Sequence, residues 1–156
     1  MDYPTQPPYG SAAAHTNAPW GSRGKALILE DNENIAGLLS ILLAKSGLQT
    51  IWCQTGRDAL AKFEQHREAM AIVIADCRLP DCDGREICQQ MRAQLPDLPL
   101  IMSSGSAACL NLGPLVSGKL VRFMPKPYSP REMLEHVGKL QNEAMQATAA
   151  ISAGFV

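Results

Sequence analysis

From Lys25 onward the chain alternates short apolar runs with amphipathic stretches. The runs are Ala26–Leu29, Leu48–Cys53, Ala71–Ala75, Leu98–Met102 and Leu120–Met124. Each is too short for a core helix, and several are rich in Ile and Val, so they predict strands buried on both faces. Between them, Ile35, Leu38, Leu39, Leu42 and Leu43 mark one face of a helix that ends near Gly47. Ala59, Leu60 and Phe63 mark a second helix, and Ile87, Met91 and Leu95 a third, stopped before Pro96. Ala107–Leu112 predicts only one or two helical turns, because Gly113 and Pro114 interrupt it and Gly118 follows. Met133, Val137 and Leu140 mark a last helix, opened by Ser129 as N-cap, Pro130 at the first position and Glu132 at the third. Five strands alternating with five helices predict an α/β, doubly wound parallel sheet covered on both faces, a three-layer sandwich.

The ends of the chain read differently. Residues 1–24 carry Pro4, Pro7, Pro8 and Pro19 among Gly, Ser and Ala, with no apolar period, and predict a flexible tail. Its Tyr3, Tyr9 and Trp20 leave open either a docking segment or an inert extension. Residues 25–140 form the predicted domain, and residues 141–156 a C-terminal extension, part helical or disordered. The sixteen residues after Leu140 are too few for a DNA-binding or enzymatic module.

Composition narrows the function class. Of 156 residues, 46% are hydrophobic and 19% charged, the balance of a globular protein. A net charge of -1 gives no sign of a nucleic-acid or acidic-membrane partner. No run of apolar residues is long enough to span a bilayer, and no secretory signal is visible, so a cytoplasmic location is expected. Cys53, Cys77, Cys82, Cys88 and Cys109 are odd in number and hold no CxxC, which favours reduced thiols over a zinc site.

In a doubly wound sheet the functional crevice lies beyond the carboxyl ends of the strands. Strand one ends in Glu30-Asp31 and strand three in Asp76. Strand four runs into Ser103-Ser104-Gly105, and strand five into Pro125-Lys126-Pro127. Three carboxylates at one rim repel one another by several kcal/mol per close pair, on the order of 4 kcal/mol at 4 Å in an effective dielectric near 20. A hard divalent cation reverses that sign, and such oxygen donors suit magnesium. A phosphoryl group reaching one carboxylate would then find its charge neutralised, with a lysine and a hydroxyl for its remaining oxygens. An aspartate needs no deprotonation at pH 7 to act as nucleophile, and its product is an acyl phosphate.

Glu30-Asp31, the segment Asp76-Cys77-Arg78-Leu79-Pro80-Asp81-Cys82-Asp83-Gly84, then Ser104-Gly105 and Lys126-Pro127-Tyr128 resemble the receiver domain of two-component response regulators. The resemblance covers about residues 25 to 140 and implies the flavodoxin-like, CheY-like fold. It implies Asp76 as phosphoacceptor. Glu30, Asp31, Asp76 and the backbone carbonyl of Arg78 would be ligands of Mg²⁺. Ser104 and Lys126 would bind the phosphoryl group, Gly105 would leave room for it, and Phe123 would be the switch aromatic. The Lys126–Pro127 bond would be cis, and Arg78 and Ser106 would flank the path of an attacking water and tune dephosphorylation. The implied partners are a sensor histidine kinase or histidine phosphotransfer protein and a downstream protein target, with no direct nucleic-acid contact and no membrane insertion; a homodimer is left open. The implied role is a regulatory phosphoacceptor that catalyses only its own Mg-dependent phosphorylation and dephosphorylation.

Two features depart from the family pattern. The first acidic position is Glu rather than the commoner Asp, and the fourth helical stretch is broken by Gly113 and Pro114. Plainer roles compete at several positions. Asp31 and Asn32 are good helix caps, Asp81, Asp83 and Gly84 good turn residues, and Phe123 a fit core aromatic. Two rival functions stand beside the phosphoacceptor: a binding module with the fold but no regulated phosphorylation, and a metal-dependent hydrolase with an aspartyl nucleophile. The adjacent Glu30-Asp31 pair, where such hydrolases carry a DxD, speaks against the second.

Overall fold

The computed structural model describes residues 20, 23–107, 111, 113, 115 and 119–154. Five strands, β1 (Lys25–Leu29), β2 (Gln49–Cys53), β3 (Met70–Asp76), β4 (Leu100–Ser104) and β5 (Val121–Pro125), form one sheet in the order β2-β1-β3-β4-β5. Every neighbouring pair is parallel. Four α-helices lie among the described residues: α1 (Glu33–Lys45), α2 (Gly56–His66), α3 (Gly84–Gln94) and α4 (Pro130–Ser152). A short 3-10 turn, Arg67–Ala69, links α2 to β3.

Burial explains why the strands read as continuous apolar runs. β3 is buried from Met70 to Ala75 and only Asp76, at its end, is half-exposed. Alternate side chains along each strand feed two cores. Leu27, Val73, Ala75 and Met102 meet Phe63 of α2 and Met91 of α3 on one face. Ile28, Ile72, Ile74 and Ile101 meet Leu39 and Leu43 of α1 and Val137 and Leu140 of α4 on the other. Each of these side chains larger than alanine stabilises by about 1.5–3 kcal/mol when taken from water, so the central strands anchor the domain.

Local signals end the helices where the chain predicts. Asn32, not Asp31, caps α1, its side chain accepting from the N–H groups of Asn34 and Ile35. Gly47 follows α1 with φ 78°, a left-handed conformation that closes the helix at little cost for glycine. Ser129 and Glu132 form the full capping box of α4, with Pro130 in the first turn.

Three differences from the sequence expectation have physical causes. β4 begins at Leu100 rather than Leu98, because Leu98 still belongs to the turn after α3 and donates its N–H to Leu95. Its burial made it look like strand. Trp20 is 8% exposed and packs into the α1/α4 core, while Gly24 bonds Ala69 and Gln49 bonds Gly24 through the backbone. Trp20, which the sequence reading placed in the tail, thus packs against the domain core. α4 runs on to Ser152, so the extension is helical through most of its length. Most of Ala107–Leu112, together with Pro114, Gly118, Cys109, Tyr3 and Tyr9, lies outside the described residues. No described helix is long and apolar enough to cross a membrane, and none of the described cysteines is in a disulfide.

One glycine is dictated by close approach. A Cβ on Gly84 would sit 2.0 Å from the main-chain oxygen of Asp76, and a backbone oxygen cannot swing aside. Gly84→Ala is expected to lower unfolding free energy by about 3 kcal/mol, at the upper end for overpacking. Gly138→Ala, inside α4 with open space at its Cβ, should raise it by about 0.5–1 kcal/mol. Urea denaturation of the two variants checks both signs.

Candidate functional site

The carboxyl ends of β1, β3, β4 and β5 deliver the chemistry to one rim. β1 and β3 are neighbours, which sets Glu30 and Asp31 beside Asp76. Single carboxylate oxygens of the three lie within 4.8 Å of one another. At that spacing each like-charge pair costs on the order of 3–4 kcal/mol in an effective dielectric near 20. Glu30 is buried, Asp76 half-buried and Asp31 exposed.

Lys126 answers part of this charge. Its Nζ is 2.8 Å from Glu30 Oε2 and 2.8 Å from Asp76 Oδ2. The Lys126–Pro127 peptide is cis, and the Lys126 N–H donates to the Ser104 carbonyl. Burial pushes the Lys126 ammonium down, but its hydrogen bonds to Asp76 and Glu30 outweigh that and hold it above its ordinary value. Burial raises the Glu30 carboxyl, against the pull of Lys126 and of the Asn32 N–H on Oε1. The remaining oxygen of Asp76, Oδ1, accepts the N–H of Arg78.

The hydroxyl side of the rim is built by β4. Ser104 is buried, and its Oγ accepts the backbone N–H of Ser106 at 3.1 Å. A shallow cleft of about 160 Å³ runs along Ser104, Gly105, Ser106, Phe123 and Lys126. A Cβ on Gly105 would meet nothing within 4 Å, so the position faces open space. Phe123 is half-buried against the core on the α2/α3 side and borders that cleft. The structure thus brings Glu30, Asp31, Asp76, Lys126 and Ser104 to one rim, with Phe123 one cleft away; the Arg78 side chain is exposed beside it.

The donor set is the kind a hard divalent cation takes: three carboxylates within ligand range, two of them held by hydrogen bonds. Glu30, Asp31 and Asp76 could hold such an ion. The described cysteines join no such cluster, and burial pushes the Cys53 thiol up to about 12 and also raises Cys88.

Comparison with known proteins decides the family. The family model described as the response regulator receiver domain matches residues 26–138. The chain belongs to the response regulator receiver domain family, the family of two-component phosphorelay signalling. Among its relatives, the sensory transduction protein RegX3 of Mycolicibacterium smegmatis is 33% identical over 111 residues, 71% of this chain and 47% of that protein. The alkaline phosphatase synthesis transcriptional regulatory protein PhoP of Bacillus subtilis is 34% identical, over 70% of this chain and 45% of that protein. The receiver chain therefore spans about half the length of these relatives. Among solved structures, a CheY-like response regulator receiver domain protein from Methanospirillum hungatei superposes with TM-score 0.71 at 26% identity, covering 81% of this chain and 99% of its own.

The roles of three residues escaped the sequence reading. Asp81 and Asp83 serve as more than turn residues: Asp83 caps α3, and Asp81 reaches across to α2, accepting from Gly56 at 2.8 Å and Arg57 at 3.1 Å. Trp52 donates its indole N–H to the Glu30 carbonyl at 2.7 Å. Both partners lie more than twenty residues away in sequence, beyond any local motif.

The Asp81 clasp carries a pH signature. Backbone bonds from Gly56, ahead of a smaller opposing effect of desolvation, lower its carboxyl below 3.8. A lowered folded-state value stabilises above the unfolded one and is lost as pH falls through the folded one. The wild-type urea midpoint should therefore exceed that of Asp81→Asn at pH 6, and the gap should close below about pH 3.8.

Proposed function

We propose that this receiver takes a phosphoryl group from a phosphohistidine, on a sensor kinase or a phosphotransfer protein, onto Asp76, and that the change alters its binding to a downstream protein. The observation that carries this is Asp76 itself: a carboxylate at the end of a buried central strand, with Lys126 Nζ 2.8 Å away and two further carboxylates beside it. An Asp76 oxygen forms the new P–O bond as the P–N bond to the donor imidazole breaks, the electron pair staying with the leaving nitrogen. Glu30, Asp31, Asp76 and the Arg78 carbonyl would hold Mg²⁺, which would supply positive charge to offset that of the transferring group.

The protein's own groups do the rest. Lys126 exchanges its bonds to Glu30 and Asp76 for a phosphoryl oxygen, keeping its charge throughout. Ser104 gives up the Ser106 N–H and turns its hydroxyl to another oxygen, and Phe123 follows into the cleft this opens. The chain catalyses only its own phosphorylation and the hydrolysis that reverses it. Arg78 and Ser106, two residues beyond Asp76 and Ser104, flank the approach of the hydrolytic water.

Incubation with Mg²⁺ and acetyl phosphate, read by intact mass, tests this. The wild type should gain one phosphoryl group, and Asp76→Asn or removal of Mg²⁺ by chelation should abolish the gain; a gain that survives Asp76→Asn would refute the assignment. Substitution of Arg78 or Ser106 by alanine should change the decay half-life of the phosphorylated form by a larger factor than its rate of formation. Equal factors on both steps would count against the water-path role.

A further inference from the structure

The acidic pair sits at a point where the sheet gives out. Glu30 is the first residue past β1, and its backbone has no strand of its own to hold it. Both peptides that flank its Cα are nonetheless fixed to β2. The Glu30 N–H donates to the Cys53 carbonyl at 3.1 Å, and the Glu30 carbonyl accepts the Trp52 indole N–H at 2.7 Å. That carbonyl belongs to the planar Glu30–Asp31 peptide, so fixing its direction also fixes the Asp31 Cα, the point from which its carboxylate reaches out. Trp52 is itself held, pairing with Ile28 in the sheet and packing its ring against the α1/α4 core. A rigid donor on a rigid strand thus sets the backbone of the exposed Asp31, whose carboxylate has no hydrogen-bond partner among the described residues.

We infer that Trp52 is a positioning residue for the metal pair, preorganising Glu30 and Asp31 through the carbonyl they share. This rests on the Mg²⁺ reading of the site given above. Trp52 touches neither the phosphoryl group nor the ion; it acts through the peptide between two ligands. Because it does so through one hydrogen bond, removing the N–H while keeping an aromatic ring should weaken the ion and spare the fold. The indole N–H should in turn sense the ion.

Calorimetric titration of the full chain with Mg²⁺ tests this, alongside ¹⁵N-resolved indole N–H spectra. Trp52→Phe should raise the Mg²⁺ dissociation constant roughly two- to tenfold, the span one net hydrogen bond allows. In the wild type the Trp52 indole resonance should move on Mg²⁺ saturation while that of Trp20, on the segment leading into the amino end of β1, stays put. A folded Trp52→Phe chain that binds Mg²⁺ as tightly as wild type overturns the inference and leaves the metal reading standing. A wild-type chain that binds no Mg²⁺ overturns both. Should Trp52→Phe fail to fold, the wild-type spectra decide alone, and a Trp52 resonance unmoved at saturating Mg²⁺ overturns the positioning role.

Discussion

Lys126 stands between Glu30 and Asp76, 2.8 Å from an oxygen of each, and the rest of the rim depends on that placement. Without a cation among them, three carboxylates within 4.8 Å would spread apart or take up protons. The ammonium, bonded to Glu30 and Asp76 at once, offsets the repulsion between them. It is also the group best able to let go, since it is a compact charge on a flexible stem that can follow negative charge from a carboxylate to a phosphoryl oxygen. One side chain thus holds the resting site together and, on the proposed reading, would supply charge to the loaded one.

The sheet order explains why a long side chain has this task. β1 and β3 are adjacent, so the acidic pair and Asp76 meet directly, but β4 lies between β3 and β5. Lys126, at the end of β5, must reach past the end of β4 to touch Asp76 and further to touch Glu30, bonds that close 50 and 96 residues of chain. The same strand order puts Ser104, at the end of β4, between the strand ends that carry Asp76 and Lys126. Gly84 adds a constraint from behind: α3 starts so close to the Asp76 carbonyl that no Cβ fits, which seats the loop carrying Arg78 against the strand end.

Much of this was legible along the chain because it is locally encoded. Strands buried on both faces, such as Met70–Ala75, show as unbroken apolar runs, and the capping box at Ser129 is spelled out within four residues. Asp76 stood out because a carboxylate ending such a run needs a reason. What stayed hidden depends on folding. Trp20 looked like tail because the core it joins is assembled from residues spread along the whole domain. Asp81 looked like a turn residue because the amides it holds belong to α2. Leu98 looked like strand because burial alone does not separate a strand from the turn before it.

The central claim is that Lys126 and Ser104 change partners when negative charge arrives at Asp76. A crystal structure of the chain with Mg²⁺ and beryllofluoride, a mimic of the phosphoryl group, tests it most directly. The account predicts beryllofluoride on an Asp76 carboxylate oxygen, Lys126 Nζ moved from Glu30 to a fluorine, and Ser104 Oγ turned from the Ser106 N–H to another. Beryllofluoride bound at Asp76 with Lys126 still bridging Glu30 and Asp76, or no binding at Asp76 at all, would contradict it.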